Sequence, residues 1–290
     1  MNLKLKNKIV VEILGGLGNQ LFQYAFLTAL KKNNPNHEFY IDINRFNTVD
    51  DNKGYQLEDY FNLGLVPASK EIINELTDGV NLISRIKRKI FGLKSTFIVE
   101  KGRCFNDDYL VVNSDAYFKG LWQSELYFKD VRDEILEELK SGLNIDLDLK
   151  FEFPEKSVSL HVRRGDYYSN ESYFKMLGGV CDVDYYKQAL KLLESKIQDF
   201  NVIVFSDDTE WVKKEFKFLH DYNVVYSSNQ KDIEDLILMS RCEHNIIANS
   251  TFSWWGAWLN QNPEKIIICP ENWYADATQT DIIPGEWVRI

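Results

Sequence analysis

Four short runs in the 290-residue chain hold side chains suited to chemistry, each where an apolar stretch gives way to polar residues. The first is His161-Val162-Arg163-Arg164-Gly165-Asp166-Tyr167. Side chains alternate along a strand, so His161 and Arg163 share one face while Arg164 shares the other with Val162. A guanidinium is a planar fork of donors that matches the oxygen pair of a phosphate. Arg163, at the strand end beside Gly165, is the residue placed to grip one. An exposed Arg–Asp pair contributes only ~0–1 kcal/mol, and that structural role falls to Arg164, with Asp166 or another acid as partner. The second run is Gly15-Gly16-Leu17-Gly18-Asn19-Gln20. Glycines between a strand and a helix let backbone N–H groups approach an anion at the helix N-terminus, which makes Gly16, Gly18 and Asn19 candidate ligands. The run lacks the third glycine of the dinucleotide fingerprint and the lysine of a P-loop, and such a turn also serves as a plain tight connection.

The third run, Phe205-Ser206-Asp207-Asp208, follows another apolar stretch. One carboxylate at such a strand end can accept from the N–H groups of a base, and the other can cap the next helix. Asp207 is assigned to the base and Asp208 to the cap. In the fourth run, Asn249 to Trp258, the hydroxyls of Ser250, Thr251 and Ser253 gather where a helix begins and an anion is favoured. Trp254, Trp255 and Trp258 read as core, because large aromatic rings bury extensively. Two Asp-x-Asp triplets, Asp182-Val183-Asp184 and Asp146-Leu147-Asp148, have the carboxylates that a hard cation would take. Asp182 and Asp184 precede a helix, where acids cap and complement the dipole, and Asp146 and Asp148 lie in a crossing between halves. No metal site is expected.

Parallel strands separated by helices would bring these runs together. The stretch 8–14 reads as a strand, 19–32 as a helix with Leu21, Ala25, Thr28 and Ala29 on its buried stripe, and 37–43 as a second strand. From 54 to 122 no clean period appears. Phe128, Val131, Ile135 and Leu139 then mark a helix ending near Gly142. In the second half, short apolar strands alternate with helices expected over 183–197, 209–219, 232–241 and 252–259, the third with Asp232 as N-cap and Asp235 as its acidic partner. That alternation implies a parallel sheet covered on both faces, which binds ligands beyond the carboxyl ends of its strands. The expected division is an N-terminal domain over 1–150 and a C-terminal domain over 151–290.

The composition is that of a packed globular protein: 44% hydrophobic and 27% charged residues. A net charge of −10 disfavours nucleic acid, whose binding rests on phosphate neutralisation. No apolar run approaches the ~20 residues that cross a bilayer. The opening run continues into the Gly-rich turn without a cleavage signal, so it reads as a strand and not a signal peptide. Cys104, Cys181, Cys242 and Cys269 form no CxxC pair, which points to a reducing, cytoplasmic setting. Against the acidic background, 84–91 (SRIKRKIF) is strongly basic. Its residues Arg85 to Lys89 read either as a solvated face or as a patch for anionic lipid.

In order, GGLGNQLFQYA, HVRRGDY, FSDD and NSTFSWWGAWL resemble glycosyltransferase family 11, the α1,2-fucosyltransferases, from Gly15 to Trp258. The resemblance implies a GT-B-like α/β fold, two Rossmann-like domains with parallel sheets facing across a cleft. It places the GDP-sugar in the C-terminal domain and the acceptor on the N-terminal side. It implies inverting, metal-independent transfer of L-fucose from GDP-β-L-fucose to O2 of a terminal galactose on a glycan, with no cofactor, and the lipid reading of Arg85 to Lys89 would suit a lipid-linked acceptor. It makes Arg163 and Ser253 diphosphate ligands, Asp207 the guanine ligand, and Asn19 a further diphosphate contact. Asp166 and His161 are candidates for the proton acceptor or for positioning Arg163. A metal-dependent nucleotide-sugar transferase and a non-catalytic carbohydrate-binding protein are the alternatives.

Overall fold

Two compact units make up the chain, Met1–Ile145 and Asp146–Ile290, and a computed structural model describes residues 6–47, 54–77, 93–144, 153–227 and 231–290.

In the first unit β1 (Lys8–Glu12) leads through Gly15 into α1 (Leu17–Asn33), followed by β2 (Glu38–Asp42). Gly15 has φ +76, the left-handed region, and a Cβ there would lie 2.6 Å from the Asn19 side-chain nitrogen. After α2 (Leu57–Tyr60) and α3 (Lys70–Leu76) come β3 (Phe97–Val99), β4 (Ala116–Lys119) and α4 (Arg132–Gly142). The four strands form one sheet in the order β2-β1-β4-β3, parallel throughout. Leu76 of α3 packs with Val10 and Tyr117 on one face. On α1, burial exceeds the expected stripe: from Leu17 to Leu30 only Asn19 escapes it. The cause is an aromatic layer that covers its outer side. Phe26 stacks on Trp122 at 4.2 Å and meets Phe118 edge-on at 5.4 Å, while Phe22 lies 6.0 Å from Phe128. The stretch without a readable period thus supplies β3, β4 and the lid of the core.

The second unit contains β5 (Ser157–Val162), α5 (Gly165–Ser169), α6 (Glu171–Leu177), α7 (Val183–Glu194), β6 (Asn201–Ser206), α8 (Thr209–Glu215), β7 (Asn223–Tyr226), α9 (Asp232–Arg241), β8 (His244–Ile246), α10 (Thr251–Trp258), β9 (Ile267–Cys269) and β10 (Val288–Arg289). Its sheet has the order β10-β9-β8-β5-β6-β7, again parallel. Counted from β5 this is the doubly wound 3-2-1-4-5-6 order of a Rossmann fold. Val158, Leu160 and Val162 pack against Tyr186, Leu190 and Leu193 of α7 on one face. Ile203 and Phe205 meet Leu238 and Met239 of α9 on the other.

Several boundaries move. α7 stops at Glu194, three residues short of expectation, and α8 stops at Glu215, a 3-10 turn over Lys217–Asp221 taking up the rest. Lys231, not Asp232, holds the N-cap position of α9, without a side-chain cap, and Asp235 instead accepts a hydrogen bond from the Ser227 hydroxyl. Trp254, Trp255 and Trp258 are buried as expected. No described helix is long and apolar enough to cross a membrane.

Candidate functional site

In the C-terminal sheet the strand order breaks between β5 and β8, and a crevice at such a break is where doubly wound sheets take ligands. Arg163 stands one residue beyond β5. Its Nη2 lies 2.7 Å from Asp166 Oδ1 and its Nη1 3.0 Å from Asp207 Oδ2. Burial pulls against the charge, but Asp207 and Asp166 outweigh it and raise the guanidinium above its ordinary value. The other oxygen of Asp207 accepts the backbone N–H of Arg164 at 2.9 Å. Gly165 makes room for this carboxylate, since a Cβ there would fall 2.5 Å from Asp207 Oδ2.

Arg164 turns away, as strand alternation requires. Its guanidinium lies 3.6 Å from the ring centroid of Trp211 and 4.2 Å from that of Tyr168, with Nε 3.6 Å from Asp208 Oδ2. Its acidic partner is therefore Asp208 and not Asp166. Asp208 also caps α8, accepting from the Trp211 N–H at 3.1 Å.

His161 is 4% exposed. Burial, and then the charge on Arg163, push it down to about 3, so the ring is neutral at physiological pH. Its Nδ1 has no hydrogen-bond partner among the described residues, and the ring faces Phe252 of α10 at 5.9 Å. Ser250 occupies the N-cap position of α10 without a side-chain cap bond, and Thr251 opens the helix, half-buried. The Ser253 hydroxyl is fully buried and turns back on its own helix, 3.3 Å from the Ser250 carbonyl oxygen and 3.4 Å from that of Ala248.

Two residues that lie within the motifs, but whose types alone suggest no role, hold the site together. The Tyr167 hydroxyl donates to the Asn249 carbonyl at 2.9 Å, tying the Arg163 loop to the end of β8. The Asn249 side chain donates to the carbonyls of Leu177 and Trp273 at 2.9 and 3.0 Å. An Asn directly after an apolar strand was the available signal, because a buried amide must find backbone partners.

In the N-terminal unit, Gly16 is the N-cap of α1, and the space where its side chain would stand is open within 4 Å. Gly18 is buried in the first turn. Asn19 accepts from Gln123 Nε2 at 2.8 Å. Gln20 is a structural cross-link, donating to the carbonyls of Gly15 and Gly54 at 2.7 and 2.9 Å and accepting from the Gln56 N–H at 2.8 Å. Asp182 caps α7, accepting from the Tyr185 N–H at 2.8 Å, and Asp184 pairs with Lys187 at 3.2 Å. Asp146, Asp148 and the basic segment Arg85 to Lys89 lie outside the described residues. Among the described residues no group of three or more His, Cys, Asp or Glu side chains is arranged to hold a metal ion.

The family model of glycosyl transferase family 11 matches residues 100–290. The chain is 32% identical over 296 residues to an alpha-1,2-colitosyltransferase of Escherichia coli, covering 97% of this chain and 98% of that protein. It is 26% identical over 264 residues to galactoside alpha-(1,2)-fucosyltransferase 2 of Hylobates lar, covering 88% of this chain and 70% of that one. A solved Arabidopsis thaliana FUT1 variant in complex with GDP is similar with a TM-score of 0.53 at 14% identity, over 98% of this chain and 76% of that one. At that identity the likeness is one of fold, GT-B-like with two Rossmann-like units.

Proposed function

The chain belongs to glycosyltransferase family 11, and from that premise we propose that it transfers L-fucose from GDP-β-L-fucose to O2 of a terminal galactose on a glycan. The acceptor oxygen forms the new bond to the anomeric carbon while the bond to the β-phosphate oxygen breaks. The electron pair leaves with GDP, the acceptor hydroxyl gives its proton to solvent as the new bond forms, and the β-linked donor becomes an α-linked product. Charge develops on the β-phosphate as the sugar becomes oxocarbenium-like. A fixed cation there stabilises the transition state more than the ground state.

The observation that carries this reading is Arg163, held at the break in strand order by Asp166 and Asp207. With Arg163 and Arg164 against Asp166, Asp207 and Asp208, the cluster is negative by one charge. A diphosphate must therefore take the place of a carboxylate on Arg163. Asp207 is the one to leave, turning to the N1–H and N2–H of guanine, while Asp166 keeps the guanidinium in place. His161, neutral behind Arg163, adds no competing charge. Ser250 and Thr251 at the start of α10 supply donors to the phosphates, and the Ser253 hydroxyl joins them only by turning from the carbonyls of Ala248 and Ser250. No metal takes part.

Arg163→Ala should lose ~10³-fold or more in turnover, the scale of an arginine on a transferring phosphoryl group, while its circular dichroism matches wild type. Turnover above a tenth of wild type would refute the assignment. A second reading follows from the colitosyltransferase relative. Colitose is fucose without its 3-hydroxyl, and comparing turnover with the two GDP-sugars decides the donor. A lipid-linked acceptor at the inner membrane face, approached through Arg85 to Lys89, completes the reading, and vesicle binding by a variant reversed at Lys87, Arg88 and Lys89 tests it.

A further inference from the structure

The sheet of the N-terminal unit has its own break in strand order, between β1 and β4, and charged side chains meet there. Glu12 ends β1 and Lys119 ends β4, with Nζ 3.1 Å from Glu12 Oε1. Asp42 ends β2 and is the register partner of Glu12. Both residues are buried, at 8% and 7% exposure, with the Glu12 side chain itself at 11%. Asp42 is well supplied: Oδ2 accepts from the Tyr117 hydroxyl at 2.7 Å, and Oδ1 from the backbone and side-chain nitrogens of Asn44, both at 2.9 Å. Glu12 is not. Its Oε2 is buried with no hydrogen-bond partner among the described residues.

A buried carboxylate oxygen without a donor is costly, and native structures leave few of them. Two carboxylates against one ammonium leave the cluster one negative charge, since burial and then the two acids hold Tyr117 as a neutral phenol. An anionic ligand is disfavoured there, and Lys119 already supplies the cation. What remains to be satisfied is an acceptor, which suits a neutral molecule rich in hydroxyl donors. Convergent polar groups at the carboxyl edge of a parallel sheet are the usual make-up of such a site.

We propose that Glu12, backed by Asp42 and Lys119, binds a hydroxyl of the acceptor sugar at the carboxyl edge of the N-terminal sheet. The identity of the ligand rests on the transferase reading; the unpaired carboxylate does not. Lys119, the exposed member of the cluster, swings aside to admit the sugar, and Glu12 Oε2 accepts from the hydroxyl.

The probe is lactose, a neutral galactose-terminated disaccharide. Glu12→Gln should raise the KM for lactose at least about tenfold, the loss of one hydrogen bond to a charged group, with the KM for the GDP-sugar unchanged. A lactose KM within about twofold of wild type overturns the proposal. So does a thermal shift with calcium, lost in Glu12→Gln, where lactose gives none. Should Glu12→Gln fail to fold by circular dichroism, Lys119→Ala, at an exposed position, takes its place. Removing the side chain that must swing aside should lower the lactose KM; no change, or a rise, overturns the proposal. Saturation-transfer NMR of lactose needs no turnover and separates the two readings. Lactose bound through Glu12 by an enzyme that transfers nothing would sink the transferase reading alone. Transfer that is indifferent to Glu12 would sink this site alone.

Discussion

His161 shows how far a residue's surroundings override its type. In its ordinary range it would serve as a proton acceptor near neutral pH. Buried beside Arg163 it is pushed down to about 3, so it binds a proton only when the chain opens. Because the folded-state value lies below the unfolded value of 6.5, the unfolded chain takes up the extra proton as pH falls below 6.5. Stability is then lost progressively toward pH 3, at up to ~1.4 kcal/mol per pH unit. His161→Gln should flatten this dependence, and urea midpoints at pH 7.5 and pH 5 measure it. Equal slopes for variant and wild type would show that the ring titrates as an exposed one. Arg163 is the counterpart: two carboxylates strengthen its charge and fix its direction before any ligand arrives.

At the scale of elements, the site depends on what the segment ends allow. The turn from β5 into α5 brings Gly165 against Asp207, and a Cβ there falls 2.5 Å from the carboxylate. Gly165→Ala should push Asp207 off both Arg163 and the Arg164 N–H. The expected result is a rise of at least about tenfold in the KM for the GDP-sugar, the scale of one charge-assisted hydrogen bond, with the fold retained. Isothermal titration with GDP checks it, and unchanged affinity would mean that the loop relaxes around the methyl group. Elsewhere an Asp at a helix start does only structural work. Asp182→Ala removes the bond to the Tyr185 N–H and should cost about 1 kcal/mol of stability. Turnover per folded molecule should stay constant, in EDTA as without it. Loss of activity in EDTA that Mg²⁺ or Mn²⁺ restores would return the acidic triplets to the site.

For the whole molecule, the transferase reading requires that GDP bind the folded chain. A ligand at a hundred times its Kd stabilises by ~2.7 kcal/mol, which raises the melting temperature of a protein this size by several degrees, at ~2–4 °C per kcal/mol. The wild type should show this shift with GDP, and Arg163→Ala should lose most of it. A plain sugar-binding protein would respond to lactose and not to GDP, and that pattern would favour the non-catalytic alternative.

The C-terminal half was legible because its signals are local. Each strand is a short apolar run, each helix follows a polar turn, and the groups at Arg163, Asp207 and Ser250 sit where one gives way to the other. Strand alternation alone separated Arg163 from Arg164. Which acid each arginine meets was settled by the sheet, because β6 lies beside β5 and brings Asp207 to one and Asp208 to the other. The aromatic lid over α1 had no readable period where Trp122 and Phe118 supply it, since they are gathered from short segments by packing and not by repetition. Phe128, read as the start of a helical stripe, lies before the helix that begins at Arg132. Glu12 and Asp42 look like ordinary strand ends in the sequence. Only the pairing of β1 with β2 and β4 makes them neighbours, buries them, and leaves one carboxylate oxygen without a donor. Sequence determines which groups stand at the ends of elements; register and burial decide which of them meet and in what charge state.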